Sequence, residues 1–326
     1  MVTVRFIERR GAVLTPSGLA CLAGVPTVNL SCGCAHGCVY CYAQGYAQYP
    51  GEGTVHVYRG TAERVEAELK RKRRWPLAVY FSPSCDAFQP VEAVLEQAYL
   101  TMRVLLEAGV GVEFVTKGVV PPRFLDLFRG HGGRVSGQVG LTTLDERLRA
   151  TLEPGAATVA ERLAGISRLK EAGVTVSVRA DPLISGVTDA DGDIHALLAA
   201  CRERGATDVA ASYLFLRPAV TASLKRRIAD RWLVDKILTP YLDGQRFTLR
   251  GGAGGGRNLP QPIRAAAYDR LAQAGATRGL KVHVCGCKNP DVASGRCHLV
   301  REPSEEDEGH RTASRSGFLW ESPPSA

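Results

Sequence analysis

The sequence predicts an α/β fold of parallel strands joined by helical crossovers, arranged as an incomplete barrel or an open wound sheet. Three observations predict it. From about Thr61 to Leu216, short apolar runs alternate with amphipathic stretches of helical period, the pattern of repeated βα units. Strand cores such as "LAVYFS" and "VGVEFVTK" are mainly apolar rather than alternating, as expected of strands covered on both faces. With "VPTVNLS" as the first strand, about six βα units can be counted, too few to close an eight-unit barrel. In either architecture the active site belongs at the C-terminal ends of the strands.

The elements follow in order. "TAERVEAELKRKRR" reads as a helix and "LAVYFS" as a buried strand. "VEAVLEQAYLTMRVLLEAG" is a helix with a glycine stop, and "VGVEFVTK" a strand. "RFLDLFRGHGG" is a short helix and "RVSGQVGLTT" a strand. In the next helix Thr158 and Glu161 have capping-box spacing. Val159, Leu163, Ile166 and Leu169 follow at helical spacing, and Gly173 stands where a C-terminal cap belongs. "VTVSVRADPLI" is a strand, "DIHALLAACRERG" a helix and "ATDVAASYLFL" a strand.

After Leu216 the pattern changes. "AVTASLKRRIADRWLVDKIL" reads as one amphipathic helix with a basic face. "RGGAGGGRN" is a glycine-rich loop, "QPIRAAAYDRLAQAGATRG" a helix, and "LKVHVCGC" a short strand ending in cysteines. The expected division is an N-terminal extension (1–24), a main domain (25–216), a C-terminal module (217–300) and a polar, Pro/Ser-rich tail (301–326) expected to be disordered.

At 326 residues and 45% hydrophobic, the chain can bury a core without cross-links. No apolar run reaches the roughly 20 residues of a membrane span, and "MVTVRFIERR" lacks the pattern of a secretory signal. A cytoplasmic protein without membrane contact is expected. The formal net charge of +8 suits a soluble basic enzyme, and also contact with nucleic acid or another polyanion. Seven of the ten cysteines fall in two clusters near opposite ends of the chain. In a reducing compartment, such clustering points to metal or catalysis rather than disulfides.

The first cluster lies in "NLSCGCAHGCVYCYAQ", Asn29 to Gln44. Cys34, Cys38 and Cys41 have the spacing C-x3-C-x2-C. Three thiolates in one short loop can hold three corners of a [4Fe–4S] cube, leaving one iron open to a ligand that is not protein. Zinc would want four ligands, and Cys32 or His36 could supply the fourth.

This spacing, with the aromatic Tyr40 before the last cysteine, resembles the signature of the radical S-adenosylmethionine (radical SAM) superfamily. "CAHGCVYCYAQ" resembles its spore photoproduct lyase-like (DNA repair photolyase-like) branch. "CDAFQPVE", "FVTKG", "LTTLDERLRATLEPGAATVAERLAGISRLKEAGVTV" and "DPLISGVTD" are similar to segments of that branch in the same order, so the likeness covers about residues 25–215.

The resemblance implies a partial (β/α)6 TIM-type barrel. It also implies a SAM-binding [4Fe–4S] cluster on Cys34, Cys38 and Cys41, and a low-potential electron donor of the flavodoxin or ferredoxin type. Reductive cleavage of SAM would give methionine and a 5′-deoxyadenosyl radical that takes hydrogen from a substrate. Tyr40 would pack beside the adenine or the cluster. Lys117, in "VTK", would face the SAM carboxylate, where a cation offsets its charge. Gln138 and Arg179 would contact ribose or carboxylate, although Arg179 could instead pair with Asp181. The chain has Gly140 where the branch often has serine. Cys85 and Asp86 end the second strand, should face the active site and are the candidate catalytic residues. Asp86 matches an acid of the branch, while Cys85 falls two residues after its hydrogen-donating cysteine, so a donor role for Cys85 is a hypothesis.

The second cluster, "CGCKNPDVASGRC", gives Cys285, Cys287 and Cys297 with the spacing C-x-C-x9-C. It reads as an auxiliary Fe–S cluster, expected to be a second [4Fe–4S], in the C-terminal module. Its fourth ligand could be Cys32, Cys21, His298, another side chain or a substrate atom; structural zinc or free thiols are the other readings. "GGAGGG" makes a weak phosphate cradle and reads as a lid or linker. The basic runs Lys70–Arg74 and Lys225–Arg227 read as solvated helix faces or a nucleic-acid path.

The expected function is radical modification of a small molecule or biosynthetic intermediate, with sulfur insertion from the auxiliary cluster as one form of it. The alternatives are radical repair or modification of nucleic acid, and an Fe–S redox or sensor protein that does not turn over SAM.

Overall fold

The computed structural model describes residues 2–248 and 254–295. Cys297, His298, the tail from 301 and the middle of the glycine run lie outside the described residues.

The main sheet is built from seven parallel strands: β1 (Pro26–Val28), β2 (Ala78–Phe81), β3 (Gly111–Thr116), β4 (Val135–Gly140), β5 (Thr175–Leu183), β6 (Asp208–Tyr213) and β7 (Lys281–Val284). They stand side by side in chain order, and Thr15–Pro16 runs antiparallel to β1 at the edge. A doubly wound sheet would reverse its order at a switch point. Unbroken order is barrel topology, here left open between Thr15–Pro16 and β7. The fold is therefore an incomplete TIM-type barrel. β7 adds a parallel strand beyond the βα units counted in the sequence, so residues on both sides of Leu216 share one sheet.

Helices α1 (Thr61–Arg71), α2 (Glu92–Glu107), α3 (Pro122–Arg129), α4 (Glu146–Leu152), α5 (Val159–Glu171) and α6 (Asp191–Glu203) form the crossovers. The expected capping box at α5 is complete: Thr158 Oγ1 accepts from Glu161 N, and the Glu161 carboxylate accepts from Thr158 N. Gly173 ends that unit with φ +78°, a conformation costly for any residue bearing a Cβ.

The single helix expected over 219–238 is two helices, α7 (Pro218–Arg227) and α8 (Arg231–Leu238). Ile228 is extended, and the Asp230 carboxylate accepts from Leu233 N at 3.1 Å. A short acidic side chain that caps a fresh helix competes with continuing the old one. The glycine-rich stretch is also more than a linker. Arg246–Thr248 and Gly255–Arg257 pair as an antiparallel ribbon. A Cβ on Gly256 would stand 2.8 Å from Leu216 O, so that strand passes too close to the barrel for any larger residue. The last helix is α9 (Gln261–Ala276).

Thr3–Ile7, Thr54–Tyr58 and Ser31–Cys32 pair as a separate small sheet, with Thr54–Tyr58 in its centre. It was not anticipated, although "TVHVY" alternates as a half-buried strand does. No helix among the described residues is long and apolar enough to cross a membrane.

Candidate functional site

A cavity of about 260 Å³ opens at the C-terminal ends of the strands. The loops after β1, β2, β6 and β7 and the ends of β3 and β5 all contribute to its wall. Cys34, Cys38, Cys41, Cys85, Asp86, Lys117, Arg179, Cys285 and Cys287 border it, and so does Tyr40. Gln138 does not.

The loop after β1 is fixed by its neighbours. Gly37 N donates to Cys34 O and Cys41 N to Cys38 O, which turns the chain twice. Ala35 N donates to Gln89 Oε1 at 2.8 Å, Val39 N to Leu152 O at 2.9 Å, and Gln44 Nε2 to Cys38 O at 3.0 Å. A Cβ on Gly33 would lie 2.3 Å from Thr54 O, and one on Gly155 2.3 Å from Ala35 O. Backbone thus meets backbone on two sides of the loop, where only glycine fits.

Burial pushes the Cys34, Cys38 and Cys41 thiols up from their usual range. Thiolates there call for a resident positive charge, which a bound metal centre would supply. The extra ligands that zinc would need are engaged elsewhere. His36 uses one ring nitrogen on Gly155 O at 3.1 Å and the other on Asp86 Oδ2 at 3.0 Å. Cys32 lies in the small sheet with its Sγ 2.9 Å from Tyr58 OH. Among the described residues no three His, Cys, Asp or Glu side chains form a group suited to a single ion. A cube takes each thiolate on a different iron and does not ask for that convergence. The donor set fits a cube.

Lys117 follows β3 directly, and its site is tightly defined. A Cβ on the next residue, Gly118, would fall 2.1 Å from Phe88 O. The Lys117 ammonium lies 3.3 Å from Glu153 Oε1 and 3.4 Å from Asp181 O, 5.9 Å from the centre of the Tyr40 ring. Burial, and then the Arg162 charge, pushes its pKa down to about 8. The Glu153 carboxylate also takes the Tyr40 hydroxyl and the fully buried Arg162 guanidinium. Neither Glu153 nor Arg162 was anticipated. A signal existed: Arg162, Ile166 and Leu169 share one buried helix face, and a charge on such a face needs a partner.

Gln138 stands behind the wall, accepting from Arg179 Nη1 at 3.1 Å and donating to Ser177 Oγ at 3.0 Å. Its geometry orients Arg179. Arg179 pairs with Asp181 through Nη2 and Nε at 3.0 and 3.2 Å, and Asp181 also takes Lys288 Nζ. Lys288 went unremarked in the sequence.

Asp86 accepts from His36 Nε2, Thr116 Oγ1, Lys117 N and Phe88 N at 2.8–3.0 Å. Burial alone would raise its pKa, but His36 and these backbone donors hold it below the usual carboxylate value. It ties the cysteine loop to the end of β3. Cys85 borders the cavity with its Sγ 4.0 Å from Asn29 Oδ1, and burial keeps it a thiol. Of the basic runs, the end of α7 reaches the site: Arg227 Nη2 donates to Gly37 O at 2.6 Å.

A family model described as Radical SAM superfamily matches residues 28–198. The Radical SAM Nalpha-GlyT isomerase of Pseudomonas phage M6 is 24% identical over 253 residues, 77% of this chain and 51% of that protein. An uncharacterized protein of Mycobacterium tuberculosis is 30% identical over 200 residues, 59% of each chain. The chain thus spans about half to three-fifths of the length of these relatives. Spore photoproduct lyase solved with bound AdoMet and dinucleoside spore photoproduct is similar in fold. Its TM-score is 0.69 at 15% identity, over 86% of this chain and 81% of that one.

Proposed function

The chain belongs to the radical SAM superfamily, and from that premise we propose an enzyme that cleaves SAM reductively and abstracts hydrogen from a small molecule or biosynthetic intermediate. The observation that carries this reading is that the thiols of Cys34, Cys38 and Cys41 and the ammonium of Lys117 border one cavity. When bound by these thiols, a [4Fe–4S] cluster supplies a low-potential electron and an open iron for SAM, the source of the 5′-deoxyadenosyl radical. The chain's own residues do the rest. Lys117 presents a cation to the SAM carboxylate, and Glu153 fixes where that cation stands. The Tyr40 ring floors the site beneath Lys117. Arg179, oriented by Gln138 and Asp181, offers a second cationic edge for ribose or substrate. Asp86 is a positioning residue that keeps the cysteine loop and β3 in register. The apolar wall, with Leu19, Leu22 and Phe215, excludes water from reactive intermediates.

The test is anaerobic incubation of the reconstituted protein with SAM and a low-potential reductant of the flavodoxin or ferredoxin type. Release of 5′-deoxyadenosine and methionine is expected, and its loss in Cys34→Ala/Cys38→Ala/Cys41→Ala. An intact cluster without such release would favour an Fe–S redox or sensor role.

Nucleic acid is the second reading. It is supported by the dinucleoside bound in the fold relative and by the basic end of α7 against the cysteine loop. Oligonucleotide binding that weakens steeply with salt would favour it. Sulfur insertion would require a second cluster.

A further inference from the structure

Two groups of thiols border the cavity, and the reading above uses only one. The other is Cys21, Cys285 and Cys287, which pack together around Ala210. Cys21 N donates to Cys287 Sγ at 3.2 Å, across 266 positions of chain.

The loop bearing Cys285 and Cys287 is held by buried polar groups. Asn289 Nδ2 donates to Cys285 O at 3.0 Å, and Asn289 Oδ1 accepts from Arg264 Nη1 at 3.0 Å and from Tyr268 OH at 3.2 Å. Asn258 Nδ2 donates to Lys288 O at 2.6 Å. Asn289 and Arg264 are each 1% exposed. A plain surface turn needs no such support, whereas a ligand loop must be held in place.

The position in the fold is equally specific. The sheet is open between Thr15–Pro16 and β7. Cys21 lies in the connection from Thr15–Pro16 to β1, and Cys285 is the residue after β7. The thiols therefore meet where the two edges of the incomplete barrel face each other.

We propose that Cys21, Cys285 and Cys287 hold a second iron–sulfur cluster that closes this seam. All three donors are soft sulfur, which selects zinc or iron–sulfur. A structural zinc site is enclosed by four protein ligands; this trio instead borders the open cavity. Like the first trio, it forms no group suited to a single ion among the described residues. The inference does not depend on SAM cleavage.

The experiment uses the full chain, reconstituted anaerobically with ferrous iron and sulfide, with iron, sulfide and zinc counted per chain. Wild type should hold about eight irons, and Cys21→Ser and Cys285→Ser/Cys287→Ser about four each. Cys34→Ala/Cys38→Ala/Cys41→Ala should retain about four, held by the second trio. In that last protein, iron should slow hydrogen exchange in both 13–25 and 281–289, because binding free energy becomes folding free energy for the segments it joins. This readout stands even if Cys21→Ser fails to fold. Wild-type iron in a folded Cys21→Ser, zinc in place of iron, a Cys21–Cys287 disulfide, or unchanged exchange would overturn the proposal. Complete loss of iron from the triple-alanine protein would overturn it while leaving the SAM reading standing. No loss of iron in that protein would sink the SAM reading instead.

Discussion

The Lys288 ammonium lies 2.5 Å from Asp181 Oδ1, while Asp181 Oδ2 takes the Arg179 guanidinium at 3.0 Å. One carboxylate thus joins the loop after β7 to the end of β5, inside the cavity wall. The two side chains are 20% and 10% exposed, so solvent screens this pair less than a surface pair. A double-mutant cycle of Lys288→Met and Asp181→Asn, measured by urea unfolding, should give a coupling of about 1–3 kcal/mol. Additive effects would show that the two residues merely touch.

Lys117→Ala should weaken SAM binding about 10–100-fold, the scale of one charged hydrogen bond. Iron content should stay at the wild-type level, and Lys117→Arg should recover part of the affinity. Equilibrium dialysis of SAM against reconstituted protein is the measurement. Unchanged affinity would remove Lys117 from the carboxylate.

Glu113 is buried in β3, and its Oε2 has no hydrogen-bond partner. Burial pushes its pKa from 4.5 up to about 7. The folded state therefore holds this proton more tightly than the unfolded state does. Its contribution to stability is fully present below about pH 4.5 and is lost as pH rises through about 7, roughly 3 kcal/mol in all. Glu113→Gln should therefore gain stability over wild type at pH 8 and little at pH 4.5. Urea melts at both values would check this; an equal difference at each pH would refute it.

Cys85→Ala should change the distribution of products once a substrate is known, because a neutral thiol at the cavity wall can give a hydrogen atom to a substrate radical. Identical products from both proteins would leave Cys85 as a packing residue.

Much of the barrel was legible because its signals are local. The capping box of Thr158 and Glu161 and the stop at Gly173 are written within one element. The break between α7 and α8 was missed because Asp230 reads as an ordinary exposed residue on a basic helix face. The candidate ligand loop was legible as a cysteine cluster from its spacing. What surrounds it was not, since Glu153, Arg162 and Lys288 reach Lys117, Tyr40 and Asp181 only after the chain has folded. Arg162 betrayed itself by standing on an apolar helix face, while Lys288 carried no such mark. Cys21 could be named as a candidate ligand, but nothing in its own neighbourhood separated it from Cys32.

The contact of Cys21 with Cys287 also orders events during synthesis. At about 5–20 residues per second, roughly 10–50 s pass between the making of Cys21 and of Cys285. The loop of Cys34, Cys38 and Cys41 is made early in that interval, whereas the trio at the seam is incomplete until almost 290 residues are joined. During translation the first thiols can meet a metal donor long before the second set exists.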